Sequence, residues 1–184
     1  MISRLAIMLS LFVSFSAFSA SEPIANADTI ADVVVLPNYT LKLSVATSAK
    51  KETIWRLWED VENWKKFDTL LEYSRLDDDQ RFIAGATGVI KARGASKTRF
   101  ELIEVQPGVS FIEKLKVPLY QSIELHRYFE ESAAGSTVFT HEVRFKGRLR
   151  SIIYLAAAKT FKKELPLVMG RLRDVAEREE AQEE

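Results

Sequence analysis

Ile123-Glu124-Leu125-His126-Arg127-Tyr128-Phe129, followed by Phe139-Thr140-His141-Glu142-Val143-Arg144-Phe145, decides the fold. Each stretch alternates apolar and polar residues in steps of two, the pattern of a strand with one buried face. Between them, Ala133-Ala134-Gly135 reads as a three-residue hairpin loop with glycine at the left-handed position. That loop sets Phe129 against Phe139, Arg127 against His141, Leu125 against Val143 and Ile123 against Phe145. On the other face Glu124 meets Arg144 and His126 meets Glu142, both favourable cross-strand pairs. A slip of one residue would put Glu124 beside Val143 and Leu125 beside Glu142, so the pattern specifies the register.

The strands before this hairpin follow from the same rule. A turn at Gly94-Ala95-Ser96 predicts Ile90 opposite Phe100 and Ala92 opposite Thr98, with Lys91 meeting Arg99 and Arg93 meeting Lys97 on the far face. A tight turn at Pro107-Gly108 sets Phe100 against Leu115 and Leu102 against Glu113. Turn signals also fall at Asp77-Asp78-Asp79 and around Pro118. The apolar face of the sheet is then Ile90, Phe100, Leu102, Phe111, Leu115, Leu125, Phe129, Phe139, Val143 and Phe145.

Further upstream, Val33-Val34-Val35 is a short lead-in that stops at Pro37. Tyr39, Leu41, Leu43 and Val45 alternate with Thr40, Lys42 and Ser44 as a first strand. Thr47 or Ser48 is placed to cap the helix that follows. On it Ile54, Leu57, Trp58, Val61 and Trp64 recur at helical spacing, with a break near Asp60 to Asn63. Gly147 closes the last strand. One long helix then carries Phe161, Leu165, Val168, Leu172 and Val175 on a single face, with an expected kink at Pro166. The charged tail from Glu177 is expected to fray. Strand, paired short helices, a meander of hairpins and one terminal helix make an α+β architecture, a curved antiparallel sheet around a long C-terminal helix.

The first residues read as a secretory signal. Arg4 is the positive end, and Leu5 to Phe18 form an apolar core shorter than the about 20 residues a membrane-spanning helix needs. Small-residue cleavage patterns stand at Ala17-Phe18-Ser19 and, better formed, at Ala25-Asn26-Ala27; the alternative is an uncleaved anchor. The expectation is an exported protein, periplasmic or secreted, with residues 1–27 removed. Cysteine is absent, which excludes disulfides, thiolate metal sites and a cysteine nucleophile. Roughly 155 remaining residues suffice for one domain that buries about two-thirds of its unfolded surface. Lys plus Arg equal Asp plus Glu at 26 each, so overall charge gives no argument for nucleic acid as a partner.

Several segments resemble a known superfamily. Trp55-Arg-Leu-Trp-Glu-Asp-Val-Glu-Asn-Trp-Lys-Lys-Phe67 is similar to the first helical pair of the polyketide cyclase/dehydrase and lipid-transport proteins, the START-like or helix-grip superfamily. Gly85-Ala86-Thr87-Gly88, Phe100-Glu101-Leu102, Glu104-Val105-Gln106-Pro107-Gly108, Thr140-His141-Glu142-Val143 and Gly147 extend the match. The resemblance covers residues 39–176, between a lead-in at 28–38 and a charged tail at 177–184. It implies a deep, mostly apolar cavity beneath the sheet, closed by the terminal helix. Its members include lipid carriers, hormone binders, aromatase/cyclases, quinone binders and chaperone activators, so fold does not select a function.

Residue chemistry narrows the choice. Two histidines on opposite faces, His126 outside and His141 inside, exclude a shared metal ion. No Gly-x-Ser-x-Gly elbow or phosphate-binding loop is present, and no cofactor is indicated. Neither a basic helix nor an aromatic platform points to nucleic acid. The expected function is non-catalytic binding of a small apolar molecule, a lipid, quinone or similar. A cyclase or dehydratase using the same cavity and a ligand-free interaction module are the alternatives. The candidate ligand-binding residues are Trp58, Phe100, Leu102, Glu113, Leu115, Leu125, Arg127, Phe129, Phe139, His141 and Val143. Among them Glu113, Arg127 and His141 form an ionisable cluster on an apolar wall, where unpaired charge is costly. Lys91, Arg93, Lys97, Arg99 and Lys116 form a basic patch on the opposite face, a candidate contact with anionic membrane lipid, or simply a solvated face.

Overall fold

Eight antiparallel strands and three helical segments make up the computed structural model, which describes residues 32–118, 121–131 and 136–183. The strands are β1 (Val34–Leu36), β2 (Thr40–Thr47), β3 (Leu71–Leu76), β4 (Thr87–Ala92), β5 (Thr98–Gln106), β6 (Ser110–Val117), β7 (Gln121–Glu130) and β8 (Thr137–Lys146). Helix α1 (Lys51–Glu59) and a 3-10 turn (Val61–Lys66) follow β2, and α2 (Arg150–Glu183) ends the chain. The sheet order is β1-β2-β8-β7-β6-β5-β4-β3, so the first long strand lies beside the last. The expected signal segment, 1–27, lies outside the described residues, as does the loop at 133–135. Among the described residues no helix is long and apolar enough to cross a membrane.

The β7–β8 register is the one the cross-strand pairs demand: Arg127 faces His141, Phe129 faces Phe139 and Glu124 faces Arg144. Phe100 likewise faces Leu115, and Leu102 faces Glu113. A bulge after Leu102 then shifts the pairing, so the Pro107-Gly108 turn takes in Val109 as well. The β4–β5 pairing differs from expectation by two residues: Gly88, not Ile90, faces Phe100, and Ile90 faces Thr98. The reason is steric. A side chain at Gly88 would run into the Phe100 ring and the Arg75 carbonyl, so the large ring takes the one position without a Cβ. Because the shift is even, each residue keeps its face.

Two helical expectations also change. The N-cap of α1 is Lys50, without a side-chain cap, rather than Thr47 or Ser48. Thr47 instead accepts the Ala49 N–H and donates to Glu177 at 2.8 Å. The tail does not fray: α2 continues to Glu183 through Pro166, and Glu180 accepts the Lys50 N–H at 2.7 Å. The N–H groups of Ser48 and of the N-cap Lys50, just ahead of α1, are thus met by carboxylates from the end of α2. The break in the first helical pair falls at Asp60, whose carboxylate accepts from Asn63 Nδ2.

The core lies between the sheet and these helices. Leu41, Leu43, Phe100, Leu102, Phe111, Phe139, Val143 and Phe145 from the sheet meet Ile54, Trp58, Trp64, Leu165, Met169, Leu172 and Ala176 from the helices. Full burial of each large side chain contributes about 1.5–3 kcal/mol.

Candidate functional site

Alternation places Phe111, Glu113 and Leu115 of β6 on the inner face, with Leu125, Arg127 and Phe129 of β7 and Phe139, His141 and Val143 of β8 beside them. Helical spacing brings Trp55, Trp58 and Trp64 down onto this wall. The Trp58 ring lies 5.6 Å from Phe111, 4.9 Å from Phe129 and 6.3 Å from Phe139, centroid to centroid. It runs parallel to the His141 imidazole at 6.5 Å. Phe100 sits apart from this group, 5.9 Å from Trp64. Leu102, Leu115 and Val143 are buried, while Leu125 and Phe129 pack against the core from its margin.

Arg127 holds the polar cluster together. Its Nη1 donates to Glu113 Oε2 at 2.9 Å, and both side chains are buried. The guanidinium also lies over two aromatic faces, 5.1 Å from Trp64 and 5.0 Å from Phe111, which favours the charge at depth. Burial pushes the Glu113 carboxyl above the usual carboxylate range, against the pull of Arg127. Burial, aided by the Arg127 charge, holds His141 well below the ordinary imidazole value, so the ring is neutral at physiological pH. Asp68, just past the 3-10 turn, joins the same field: burial lifts its pKa to about 6, while the Leu70 N–H and the Arg127 charge oppose the rise.

Four buried polar atoms here have no hydrogen-bond partner among the described residues: Trp58 Nε1, Glu113 Oε1, Arg127 Nε and His141 Nε2. All four belong to the one cluster. The Trp64 indole, by contrast, donates to the Trp58 carbonyl at 2.9 Å.

The structure therefore gathers Trp58, Glu113, Arg127, Phe129, Phe139 and His141, and sets Phe100, Leu102, Leu115, Leu125 and Val143 around them as apolar wall. Three participants escaped the sequence reading of the site. Trp64 and Phe111 bracket the guanidinium; both carry burial patterns, but nothing in their spacing announces a cation between them. Asp68 has no sequence signal at all.

The basic patch is largely neutralised. Lys91 pairs with Glu72, Arg99 with Asp77 at 2.6 Å, and Lys116 with Glu101 at 3.3 Å. Lys97 lies over the Tyr73 ring.

No family model matches the sequence, and no curated protein matches it. Solved structures do match the fold. A protein from Arthrobacter aurescens, determined by NMR, is 12% identical with a TM-score of 0.62, over 82% of this chain and 93% of its own. A START superfamily protein from Mycobacterium smegmatis is 12% identical with a TM-score of 0.56, over 76% of this chain and 97% of its own. The di-domain ARO/CYC StfQ from the steffimycin biosynthetic pathway is 12% identical with a TM-score of 0.57, over 78% of this chain and 52% of its own. At such identity the likeness is one of fold, and the fold is START-like helix-grip.

Proposed function

We propose that this protein binds one small, largely apolar molecule between sheet and helices, with the molecule's polar end received by Trp58, Glu113, Arg127 and His141. The observation that carries this reading is the set of four unpaired buried polar atoms on neighbouring side chains. Each such atom costs about 1–3 kcal/mol when left unmet. A core built only for packing gains nothing from four of them together. A ligand group that accepts from Trp58 Nε1 and Arg127 Nε, and donates to Glu113 Oε1 or His141 Nε2, would satisfy the cluster. The surrounding rings supply the apolar wall such sites have. The function is binding or carriage of the molecule by an exported protein, with residues 1–27 as its signal. On that reading, N-terminal sequencing of the mature protein begins at Asp28.

A second reading has its own support. A buried, neutral His141 with Nε2 unpaired is free to accept a proton from a bound molecule, the part of a general base. A cyclase or dehydratase would use it.

The test is native mass spectrometry of protein from its own host, followed by extraction and uptake of a fluorescent fatty acid or quinone analogue. A copurified apolar molecule, and uptake reduced at least tenfold by His141→Leu at an unchanged melting temperature, is the expected result. Unchanged uptake in both His141→Leu and the Glu113→Leu/Arg127→Met pair removes the polar anchor from the proposal. Conversion of the bound molecule by the wild type alone favours the enzyme.

A further inference from the structure

The first half of α2 is apolar on both sides. Its inner side packs on the sheet: Ala157 and Ala158 are buried, and Tyr154 and Phe161 lie 5.4 and 5.8 Å from the Phe145 ring. Its outer side leaves Ile152 58% and Leu155 79% exposed, one turn apart, and Leu149 just ahead of the helix is 38% exposed. Large apolar side chains exposed together mark an interaction surface, and the described residues leave this one uncovered.

The charge around that surface has a single sign. From Val143 to Lys163 there is no aspartate or glutamate, while Arg148, Arg150, Lys159, Lys162 and Lys163 are all exposed. Lys163 pairs with Glu164 at 3.3 Å and Arg150 lies over the Tyr39 ring, but Arg148, Lys159 and Lys162 form no ion pair among the described residues. Lys91, Arg99 and Lys116 on the sheet, by contrast, are answered by Glu72, Asp77 and Glu101. Exposed leucine and isoleucine ringed by unanswered lysine and arginine complement an anionic lipid surface, with the apolar side chains entering the acyl boundary and the cations at the headgroups.

We propose that the outer face of the first half of α2, with Arg148 and Leu149 that lead into it, is a docking surface for anionic membrane lipid. The inference stands apart from the ligand reading, since none of these side chains belongs to the polar cluster.

Flotation tests it with two vesicle compositions, phosphatidylcholine alone and phosphatidylcholine with phosphatidylglycerol. Wild-type protein should float with the anionic vesicles and lose binding as salt rises. Ile152→Ser with Leu155→Ser should cut binding at least tenfold, from the apolar area withdrawn. Lys159→Gln with Lys162→Gln should cut it about twenty-fivefold, from about fivefold per cation. Lys91→Glu with Arg99→Glu, on the sheet, should leave it unchanged. These helix residues are exposed, so melting temperatures should hold. Wild-type protein that ignores anionic vesicles overturns the proposal, as do helix variants that float undiminished. So does a concentration-dependent dimer, seen in sedimentation without vesicle binding and lost in the Ile152→Ser/Leu155→Ser variant. That result would assign the face to a second copy of the chain.

Discussion

Thr53, in the first turn of α1, donates its hydroxyl to the carboxylate of Glu180, one turn from the end of α2, at 2.5 Å. With Glu177 accepting from Thr47 and from Ser48, this bond fastens the end of the terminal helix to the start of the first. By accepting from the N-cap N–H of Lys50, Glu180 supplies from another helix what the glutamate of a capping box supplies locally, on the order of 1 kcal/mol. Replacing both as Glu177→Ala/Glu180→Ala should destabilise the fold by about 1–3 kcal/mol in urea melts at neutral pH. The bonds hold both carboxyls below their ordinary values, most directly through Thr53 for Glu180, and for Glu177 in spite of its burial. Their contribution is therefore present at neutral pH and lost as pH falls through those lowered values. A double variant as stable as the wild type would mean the two helix ends are held by packing alone.

The Glu113–Arg127 pair should behave as buried pairs do. Removing one partner, as in Glu113→Ala, leaves a buried guanidinium without its counter-charge and should cost about 3–5 kcal/mol. Replacing both, as in Glu113→Leu/Arg127→Met, should restore stability to within about 1–2 kcal/mol of the wild type or exceed it. A double-mutant cycle by chemical denaturation measures the coupling. Additive losses would show that the two side chains do not act as a pair.

His141 and Asp68 push stability in opposite directions with pH. The folded pKa of His141 lies well below its unfolded value of 6.5, so its contribution is present above pH 6.5 and is lost as pH falls. The melting temperature should decline from pH 7.5 towards pH 5, and His141→Gln should flatten that decline. The folded pKa of Asp68 is raised, from 3.8 to about 6, so its contribution is present below 3.8 and lost as pH rises through about 6. Asp68→Asn should stabilise by about 1–2 kcal/mol near pH 8 and change little near pH 4, a modest figure because water still reaches the residue. A His141→Gln variant that declines as steeply as the wild type would place the acid sensitivity elsewhere, with His126 the next residue to change, since burial lowers its pKa too.

Gly88 is fixed by the ring opposite it. Gly88→Ala should cost about 1–3 kcal/mol by overpacking against Phe100. Phe100→Leu should recover part of that loss, since the two changes share one volume. If Gly88→Ala costs the same with Phe100→Leu as without it, read from thermal melts, the Arg75 carbonyl is the obstacle.

Most of the architecture was legible in the chain because one face of each strand is apolar. The β7–β8 register needed only Glu124, His126 and their partners. It put Arg127 beside His141, and a connection at 118–120 puts Glu113 diagonally across from Arg127, both as observed. The β4–β5 register was not legible: an even slip preserves every face, and only the three-dimensional conflict between a ring and a Cβ at position 88 distinguishes the two pairings. The caps of α1 were missed because a local hydroxyl is visible in sequence, whereas a carboxylate from α2 is not. The cation of Arg127 between Trp64 and Phe111 is a tertiary meeting of the same kind. The charge segregation of α2 was hidden by the overall balance of the chain, in which its basic first half and acidic end cancel.

The neighbouring position of β2 and β8 also governs time. Lys42 faces Glu142, partners 100 positions apart (142 − 42). Pairing over such a distance closes a long loop before any contact rewards it, which slows folding. During synthesis at about 5–20 residues per second, β2 waits roughly 5–20 s for its partner, with Leu41, Leu43 and Val45 uncovered. For those seconds its unpaired edge and apolar face are open to other chains, so the risk of aggregation is set by the distance in sequence between β2 and β8.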